Sequence, residues 1–501
     1  MMRLFAALWI ALAAAGYAGA KQGAGGAQGL TRMVRLNVAA QGSHGKAAPA
    51  LEQGDVQVTD AGKAQNIVLF RSNATRQRKP DAPLEPGEVT NLDPGMPSQV
   101  TVILFDLLNT RLDAQGYMRG QLLEALKKAE GSDSVYLYVL TLSGLTPIQP
   151  LPEPGEDAPP QTGVPWTRQA QPKLDAAMQS VSRLGPRSDN VLPWDRFNGT
   201  YTALQTMMMR LSGVSGRKNL VWITRGVPLE FGQRHPESGM PVDYEPILRQ
   251  LSAALDESGV AVYPVESFGP MRETSGSMME EVQTLEEMAG LTGGATYEGG
   301  DVCSALRDAL AASRSSYVVG YYPPPENWDG KLHKIRLKCS MKGVKLQGKT
   351  QYVAYPLGAS GGTAEAATLR AAVRSPFDAS EIGMQGLAAP DDKDPAKTQI
   401  RLRIRTQDLT LLEGGGRYHG EIALTYVPYG AGGQVLPSRP VPVTIDLSAA
   451  QEEAAMKSGL VTGGGIAFGA GVRKVRVIVF DNYSEAVGSV TLRLAGGKAG
   501  G

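Results

Sequence analysis

The sequence has few cysteines, histidines and aromatic residues, and it has no excess of charge of either sign. Its 501 residues include two Cys, four His and 6% aromatic side chains, and the formal net charge is +1. A net charge this close to zero gives no general attraction to nucleic acid or to an anionic membrane surface. The cysteines and histidines lack the spacing of a zinc site, so zinc-dependent functions find no support.

Long hydrophobic runs are missing after the first 20 residues, so we predict no transmembrane segment in the mature chain. Residues 1–20 combine a basic start, a short apolar run and small residues at Ala18 and Ala20. This pattern is typical of a signal peptide cleaved after Ala20, and the alternative is an N-terminal membrane anchor, for which the run is short. We therefore expect an exported protein, either periplasmic or secreted.

The two cysteines, Cys303 and Cys339, have two interpretations. Export to an oxidising compartment favours a disulfide between them, which would stabilise the fold by roughly 3–4 kcal/mol. The alternative is two unrelated thiols. Sequence leaves both open, because it does not give the separation of the two Cα atoms.

Glycine and proline are abundant, with 60 Gly and 33 Pro, which predicts many turns and several modules. Residues 31–78 alternate between polar and apolar side chains around a turn at Ala61-Gly62, which predicts a small β domain. Residues 357–396 are rich in Gly, Ala and charge and are interpreted as a linker. Short alternating runs over residues 397–496 predict a β-sandwich-like domain.

The segment between these parts, residues 98–356, has a different pattern. Four continuous apolar runs alternate with amphipathic stretches, and they cover residues 101–105, 135–140, 219–224 and 260–265. Such runs are typical of parallel strands buried on both faces. The pattern predicts an α/β fold class with a doubly wound, mostly parallel sheet of Rossmann type. Ligands bind such sheets outside the carboxyl ends of the strands, where Asp106 follows the first run.

The stretch from Phe105 to Thr110, FDLLNT, resembles the first metal-ligand loop of von Willebrand factor A (VWFA) domains, whose motif is DxSxS. Further segments extend the resemblance, namely residues 216–224, 259–265, 285–297 and 316–323. As a set they look like the VWFA-related family of exported acidobacterial proteins, over about residues 33–355. The resemblance implies a VWFA-like domain over 98–356 and a function in adhesion or other protein binding.

The resemblance also implies a divalent cation, held by hydroxyls and a carboxylate, that completes its shell with an acidic residue of a protein partner. Oxygen ligands of this kind suit Mg²⁺. On this chain the ligands that the resemblance implies are Asp106 and Thr110, with Thr200 or Thr202 as the second-loop threonine. Thr200 and Thr202 are alternatively helix N-caps, and Asp106 is alternatively a structural carboxylate at a strand end.

Two residues depart from the family motif. Leu108 stands where the motif has a hydroxyl, and Arg225 follows Thr224 where metal-binding members carry an aspartate. We therefore interpret the site as a degenerate metal-ion-dependent adhesion site. A guanidinium reverses the sign of the local charge, so we hypothesise that Arg225 pairs with Asp106 in place of the ion.

Together these features predict an exported, non-enzymatic protein-binding or adhesion module that uses the top of the VWFA-like domain. The alternative is a metal-free envelope scaffold or accessory subunit of an exported complex, which Leu108 and Arg225 favour. Nucleophilic catalysis finds little support, because Cys303 has no histidine near it in sequence. Paired carboxylates of the glycosidase type stay open as a third reading.

Overall fold

The computed structural model of the chain describes a large part of it, with gaps. The described residues are 33–42, 48–72, 80, 82–92, 100–129, 135–151, 165–183, 193–211, 214, 217–226, 245–268, 276–354, 364–375, 377–394, 396–430, 432–469 and 471–494. The signal peptide expected over residues 1–20 lies outside them.

Strands dominate the described residues. The strands are β1 (Val34–Gly42), β2 (Val56–Asp60), β3 (Lys63–Gln65), β4 (Ile67–Ser72), β5 (Val89–Thr90), β6 (Val100–Asp106), β7 (Val135–Thr141), β8 (Gly144–Gln149), β9 (Lys218–Thr224), β10 (Val260–Glu266), β11 (Ser316–Tyr321), β12 (Leu332–Cys339), β13 (Val344–Gln347), β14 (Gln351–Val353), β15 (Met384–Pro390), β16 (Lys397–Ile404), β17 (Leu412–Gly414), β18 (Arg417–Tyr429), β19 (Pro440–Ser448), β20 (Leu460–Ala467), β21 (Lys474–Asp481) and β22 (Val487–Arg493). The helices are α1 (Leu112–Lys128), α2 (Trp166–Ser182), α3 (Pro193–Leu211), α4 (Glu245–Glu257), α5 (Gly276–Thr292), α6 (Val302–Arg314), α7 (Ala364–Arg374) and α8 (Ala449–Ser458).

The first unit is a β-sandwich of two antiparallel sheets, in the orders β13-β1-β11-β4 and β14-β12-β2-β3. Burial alternates along β1, so that Val34, Leu36 and Val38 face a shared hydrophobic core. Alternation of this kind is typical of strands that bury one face. The segment expected to be a separate domain, 31–78, therefore shares both of its sheets with strands that come after α6.

The central sheet has five strands in the order β10-β9-β6-β7-β8. Strands β10, β9, β6 and β7 are parallel, and β8 runs antiparallel to β7. Every residue of the four parallel strands is buried. Side chains of α1, α2 and α6 pack on one face, and side chains of α3, α4 and α5 pack on the other.

The last unit is also antiparallel, with the sheets β20-β16-β15-β5 and β17-β18-β21-β22, and β19 added beside β18. Its core lies between these sheets. Helix α7 and strand β15 fall inside the segment expected to be a linker, 357–396. Leu369 and Ala372 of α7 cover the outer face of β21, so this stretch belongs to the packed unit.

The fold class expected from sequence, a doubly wound and mostly parallel sheet, is wrong. Among the described residues, four of the five sheets are antiparallel, and the remaining sheet is a mixed sheet of five strands. Continuous apolar runs stand out in a sequence, whereas strands that bury a single face leave only a weak alternating signal. The chain is therefore a mostly antiparallel β protein.

Of the two interpretations of the cysteines, this structure has the second, because Cys303 and Cys339 are free thiols in it. Cys303 packs against the core under α6, whereas Cys339 ends β12 and packs in the first sandwich. Within the described parts of the chain, no helix combines the length and the apolar character needed to cross a membrane.

Candidate functional site

Several polar side chains meet at the carboxyl ends of the parallel strands. Asp106 ends β6, the strand in the middle of the sheet, and Thr224 ends the neighbouring β9. We call the group of buried residues around Asp106 the rim network; its members are Asp106, Asn109, Thr110, Thr200, Trp222, Thr224 and Ser267, and none is more than 4% exposed. Parallel strands bring these groups together because their carboxyl ends share one edge of the sheet.

The Asp106 carboxylate is fully buried and receives donors on both oxygens. Its Oδ2 accepts from Asn109 Nδ2 at 2.7 Å, Thr224 Oγ1 at 2.9 Å and Trp222 Nε1 at 3.3 Å. Its Oδ1 accepts from the backbone N–H of Asn109 at 3.0 Å. Of the about four lone-pair sites that a carboxylate offers, the two on Oδ2 are therefore shared by three donors, and Oδ1 accepts a single N–H.

The turn after β6 is built by the same aspartate. The Asn109 N–H bonds the Asp106 side chain, and the Thr110 N–H bonds the Asp106 carbonyl oxygen at 3.1 Å. An aspartate that accepts from backbone groups a few residues further on is a common way to fix such a turn. The structural role that the sequence left open for Asp106 is therefore present.

Asn109 links this turn to helix α3. Its Nδ2 donates to Thr200 Oγ1 at 2.7 Å, in addition to Asp106. The Thr200 hydroxyl donates in turn to the Arg196 carbonyl oxygen one helical turn earlier, at 2.8 Å. Thr200 thus lies within α3 and joins the rim network, whereas Thr202 is exposed on the same helix and does not take part.

The other hydroxyls at the rim are also engaged. Thr110 Oγ1 and Ser267 Oγ lie 2.9 Å apart, which ties the turn after β6 to the end of β10. Thr224 Oγ1 donates to Asp106 and accepts from the Gly226 N–H at 3.1 Å. The side chains of Asp106, Thr110 and Thr200 are therefore each bonded to protein groups.

The two residues that depart from the family motif have other partners. Leu108 is buried among apolar side chains between the sheet and α3. A Cβ atom on Gly199 would lie 2.8 Å from Leu108 Cδ2, so a larger residue there would require the Leu108 side chain to shift. The guanidinium carbon of Arg225 lies 5.9 Å from the centre of the Phe268 ring. Since the partners of Asp106 in the described chain are Asn109, Thr224 and Trp222, the hypothesis that Arg225 pairs with it is not what the structure shows.

Burial raises the pKa of the Asp106 carboxyl, because an ionised group loses its hydration in the interior, and the bonds from Asn109, Thr224 and Trp222 lower it in part. All the donors that reach it are neutral. No formal positive charge contacts the carboxylate among its described partners.

These residues do not fit a magnesium ion. Mg²⁺ needs several oxygen lone pairs directed at one point, whereas Asp106 Oδ2 is surrounded by three N–H and O–H donors and Oδ1 accepts a backbone N–H. The described residues also contain no group of three or more His, Cys, Asp or Glu side chains arranged to hold a metal. We derive no step through a metal ion.

Sequence reasoning named Asp106, Thr110 and Thr200 but missed Asn109, Trp222 and Ser267 as partners. Asn109 lies inside the quoted motif, so its amide was a visible candidate. Trp222 reads as one more apolar residue of β9, and only the pairing of β9 beside β6 shows that its N–H reaches Asp106.

Comparisons with known proteins do not identify a family for this chain. No family model matches the chain, and no curated protein matches it. Among solved structures, the pilus adhesin SpaC from Lactobacillus rhamnosus GG is similar at 10% sequence identity and a TM-score of 0.24. The match covers 78% of this chain and 53% of the adhesin, so the chain spans about half of that protein's length.

Proposed function

We propose that the protein is an exported, non-enzymatic protein-binding module of the VWFA-related type it resembles, and that it acts without a metal ion as a scaffold or accessory subunit. The single observation behind the metal-free part is the set of four protein donors on Asp106. Donors on both of its oxygens compete with an ion for the lone pairs of Asp106. Its role is then to hold the rim in shape.

Three side chains along the same edge of the central sheet provide the binding surface. Leu142 follows β7 and is 44% exposed, while Arg225 follows β9 and stacks on Phe268, which follows β10. Arg and aromatic residues contribute much of the binding energy in many interfaces, and an exposed leucine beside them adds apolar area. A protein partner that supplies an apolar patch with an acceptor at its border fits this surface.

Capture of partners tests the proposal. The mature protein is immobilised and incubated with the exported fraction of its host, once in EDTA and once with Mg²⁺, and bound proteins are identified after cross-linking. We expect the same partners in both conditions. Loss of the partners in EDTA would contradict the metal-free proposal and favour the metal-dependent adhesion expected from sequence.

A variant pair locates the binding surface. Leu142→Glu places a charge at the rim and should reduce capture at least tenfold, which corresponds to about 1.4 kcal/mol. Val441→Glu is the matched control, because Val441 is a similarly exposed apolar residue on β19, in the last unit. Equal loss of capture in both variants would contradict a binding surface at the rim.

A further inference from the structure

The Asn109 carboxamide lies between two oxygen groups that belong to different elements. Its Nδ2 is 2.7 Å from Asp106 Oδ2 and 2.7 Å from Thr200 Oγ1. The side chain is 3% exposed, and its own backbone N–H holds the other carboxylate oxygen. One NH₂ group thus connects the end of β6 to helix α3.

The orientation of this amide follows from its surroundings. With Nδ2 towards Asp106, both N–H groups have acceptors, and Oδ1 has no hydrogen-bond partner among the described residues. The reverse orientation would direct Oδ1 at the lone pairs of the carboxylate. The two Nδ2 bonds therefore outweigh the unsatisfied carbonyl oxygen.

We propose that the Asn109 carboxamide is a built-in replacement for the divalent cation that the family resemblance implies. Its two N–H groups carry partial positive charge to a carboxylate and a hydroxyl, as a bound ion would, and they are part of the chain. The link between Asp106 and Thr200 then exists at any cation concentration. The position of α3 against the rim does not depend on ion binding.

Thermal unfolding of the full mature chain tests this, in EDTA and in rising concentrations of MgCl₂. A ligand that binds only the folded state raises the Tm. We expect no saturable rise for the wild type. Asn109→Asp sets a second carboxylate beside Asp106, so we expect a lower Tm in EDTA and a rise of about 5 °C once Mg²⁺ is far above its Kd.

Asn219→Asp is the matched control. Asn219 is also fully buried, and its Nδ2 also bridges two oxygens, the Ala309 carbonyl oxygen and Ser313 Oγ, but it lies near the start of β9, away from the rim. This variant should lose stability without gaining a response to Mg²⁺. An equal response of Asn109→Asp and Asn219→Asp would overturn the proposal.

Two further results are decisive. A saturable Mg²⁺ response in the wild type that Asp106→Ala abolishes would show that the ion, and not the amide, holds the rim. Asn109→Ser removes the bridging amide without adding charge, so it covers the case in which Asn109→Asp does not fold. We expect Asn109→Ser to respond to Mg²⁺, and a response no different from the wild type would overturn the proposal.

The inference concerns the same rim as the proposed function and deepens it. The inference is tested by thermal unfolding without a partner protein, whereas the proposed function is tested by capture of partner proteins. A wild-type Mg²⁺ response with unchanged capture in EDTA would overturn the role of Asn109 and leave the binding function standing. Loss of capture at Leu142 has no bearing on the amide.

Discussion

Two buried aspartates, each at the end of a strand, are stabilised by different chemistry. Asp60 ends β2 in the first sandwich, and Asp106 ends β6 in the central sheet; both are 0% exposed. Asp60 accepts from Tyr321 at 3.1 Å and Tyr352 at 2.9 Å, and it lies 3.2 Å from His333 Nδ1. Asp106 is reached only by neutral donors among its described partners.

The His333 imidazole is what distinguishes the Asp60 site from the Asp106 site. His333 lies between Asp60 and Asp329, with its Nε2 3.2 Å from the second carboxylate, and it can donate to both only when it is protonated. Burial and the nearby Asp60 raise the pKa of Tyr321, and burial together with the hydrogen bond to Asp60 raises the pKa of Tyr352, so both phenols stay protonated as donors. One carboxylate thus has an imidazole and two phenols beside it, and the other has amide, hydroxyl and indole donors.

The largest expected effect comes from removing the carboxylate that faces the imidazole. Asp60→Ala should lower the free energy of unfolding by about 3–5 kcal/mol, because it leaves His333 and two phenols buried without their acceptor. Urea unfolding measures this. Asp446→Ala is the control, since Asp446 pairs with Arg417 at the surface and its removal should cost much less stability. Similar losses in the two variants would contradict the role of burial.

Removing the other carboxylate should cost less. Asp106→Ala leaves Asn109, Thr224 and Trp222 without their acceptor, and we expect a loss of about 2–3 kcal/mol in the same urea experiment. Asp106→Asn keeps the shape of the side chain and removes the charge whose burial is unfavourable, so its loss should be the smaller. If Asp106→Ala destabilised the chain more than Asp60→Ala, the contrast between the two sites would be wrong.

A third buried ionisable group, Lys218, makes the stability of the protein depend on pH. Lys218 is buried, its Nζ donates to the Val214 carbonyl oxygen at 2.6 Å, and burial lowers its pKa from 10.5 to about 8. Between pH 8 and 10.5, Lys218 is mostly protonated in the unfolded chain and mostly neutral in the folded chain. The free energy of unfolding therefore increases as pH rises through the folded pKa. The free energy of unfolding of the wild type minus that of Lys218→Met should rise by about 2 kcal/mol between roughly pH 7 and 9.5. A difference that stays flat with pH would contradict the lowered pKa.

The smallest expected effect is at the imidazole itself. His333→Gln keeps an amide donor for Asp60 but lacks the second ring nitrogen that lies beside Asp329, and we expect a loss of about 1 kcal/mol in urea unfolding. His419→Gln is the control, because His419 is 46% exposed beside Asp446. Equal losses in the two histidine variants would show that the buried contacts of His333 contribute no more stability than the surface contacts of His419.

Sequence reasoning located some of these features and not others. The apolar runs over 101–105 and 219–224 correspond to buried strands, and Asp106 does end the first of them, because continuous burial leaves a local signal. The pairing of β1 with β11 joins segments that are far apart in the chain, and no local pattern encodes such a partner. This is why the fold class was wrong although individual strands were found.

At the site, the sequence identified residue types but not their partners. Arg225 was expected beside Asp106 on charge alone, yet its guanidinium stacks on Phe268, which follows a different strand. Asn109 bonds both Asp106 and Thr200, and only the position of α3 over the turn reveals that double contact. Such contacts depend on the angles and distances between secondary-structure elements, and the hydrophobic periodicity of the sequence does not specify these.

The topology of the first sandwich determines when its first strand can pair during biosynthesis. Strand β1 lies between β11 and β13, so it meets neither neighbour until the ribosome has passed Ser316–Tyr321 and Val344–Gln347. Until then its backbone N–H and C=O groups are open to pairing with other chains. A chaperone that shields the first strands of the nascent chain should therefore raise the yield of folded protein more than one that acts on its last unit.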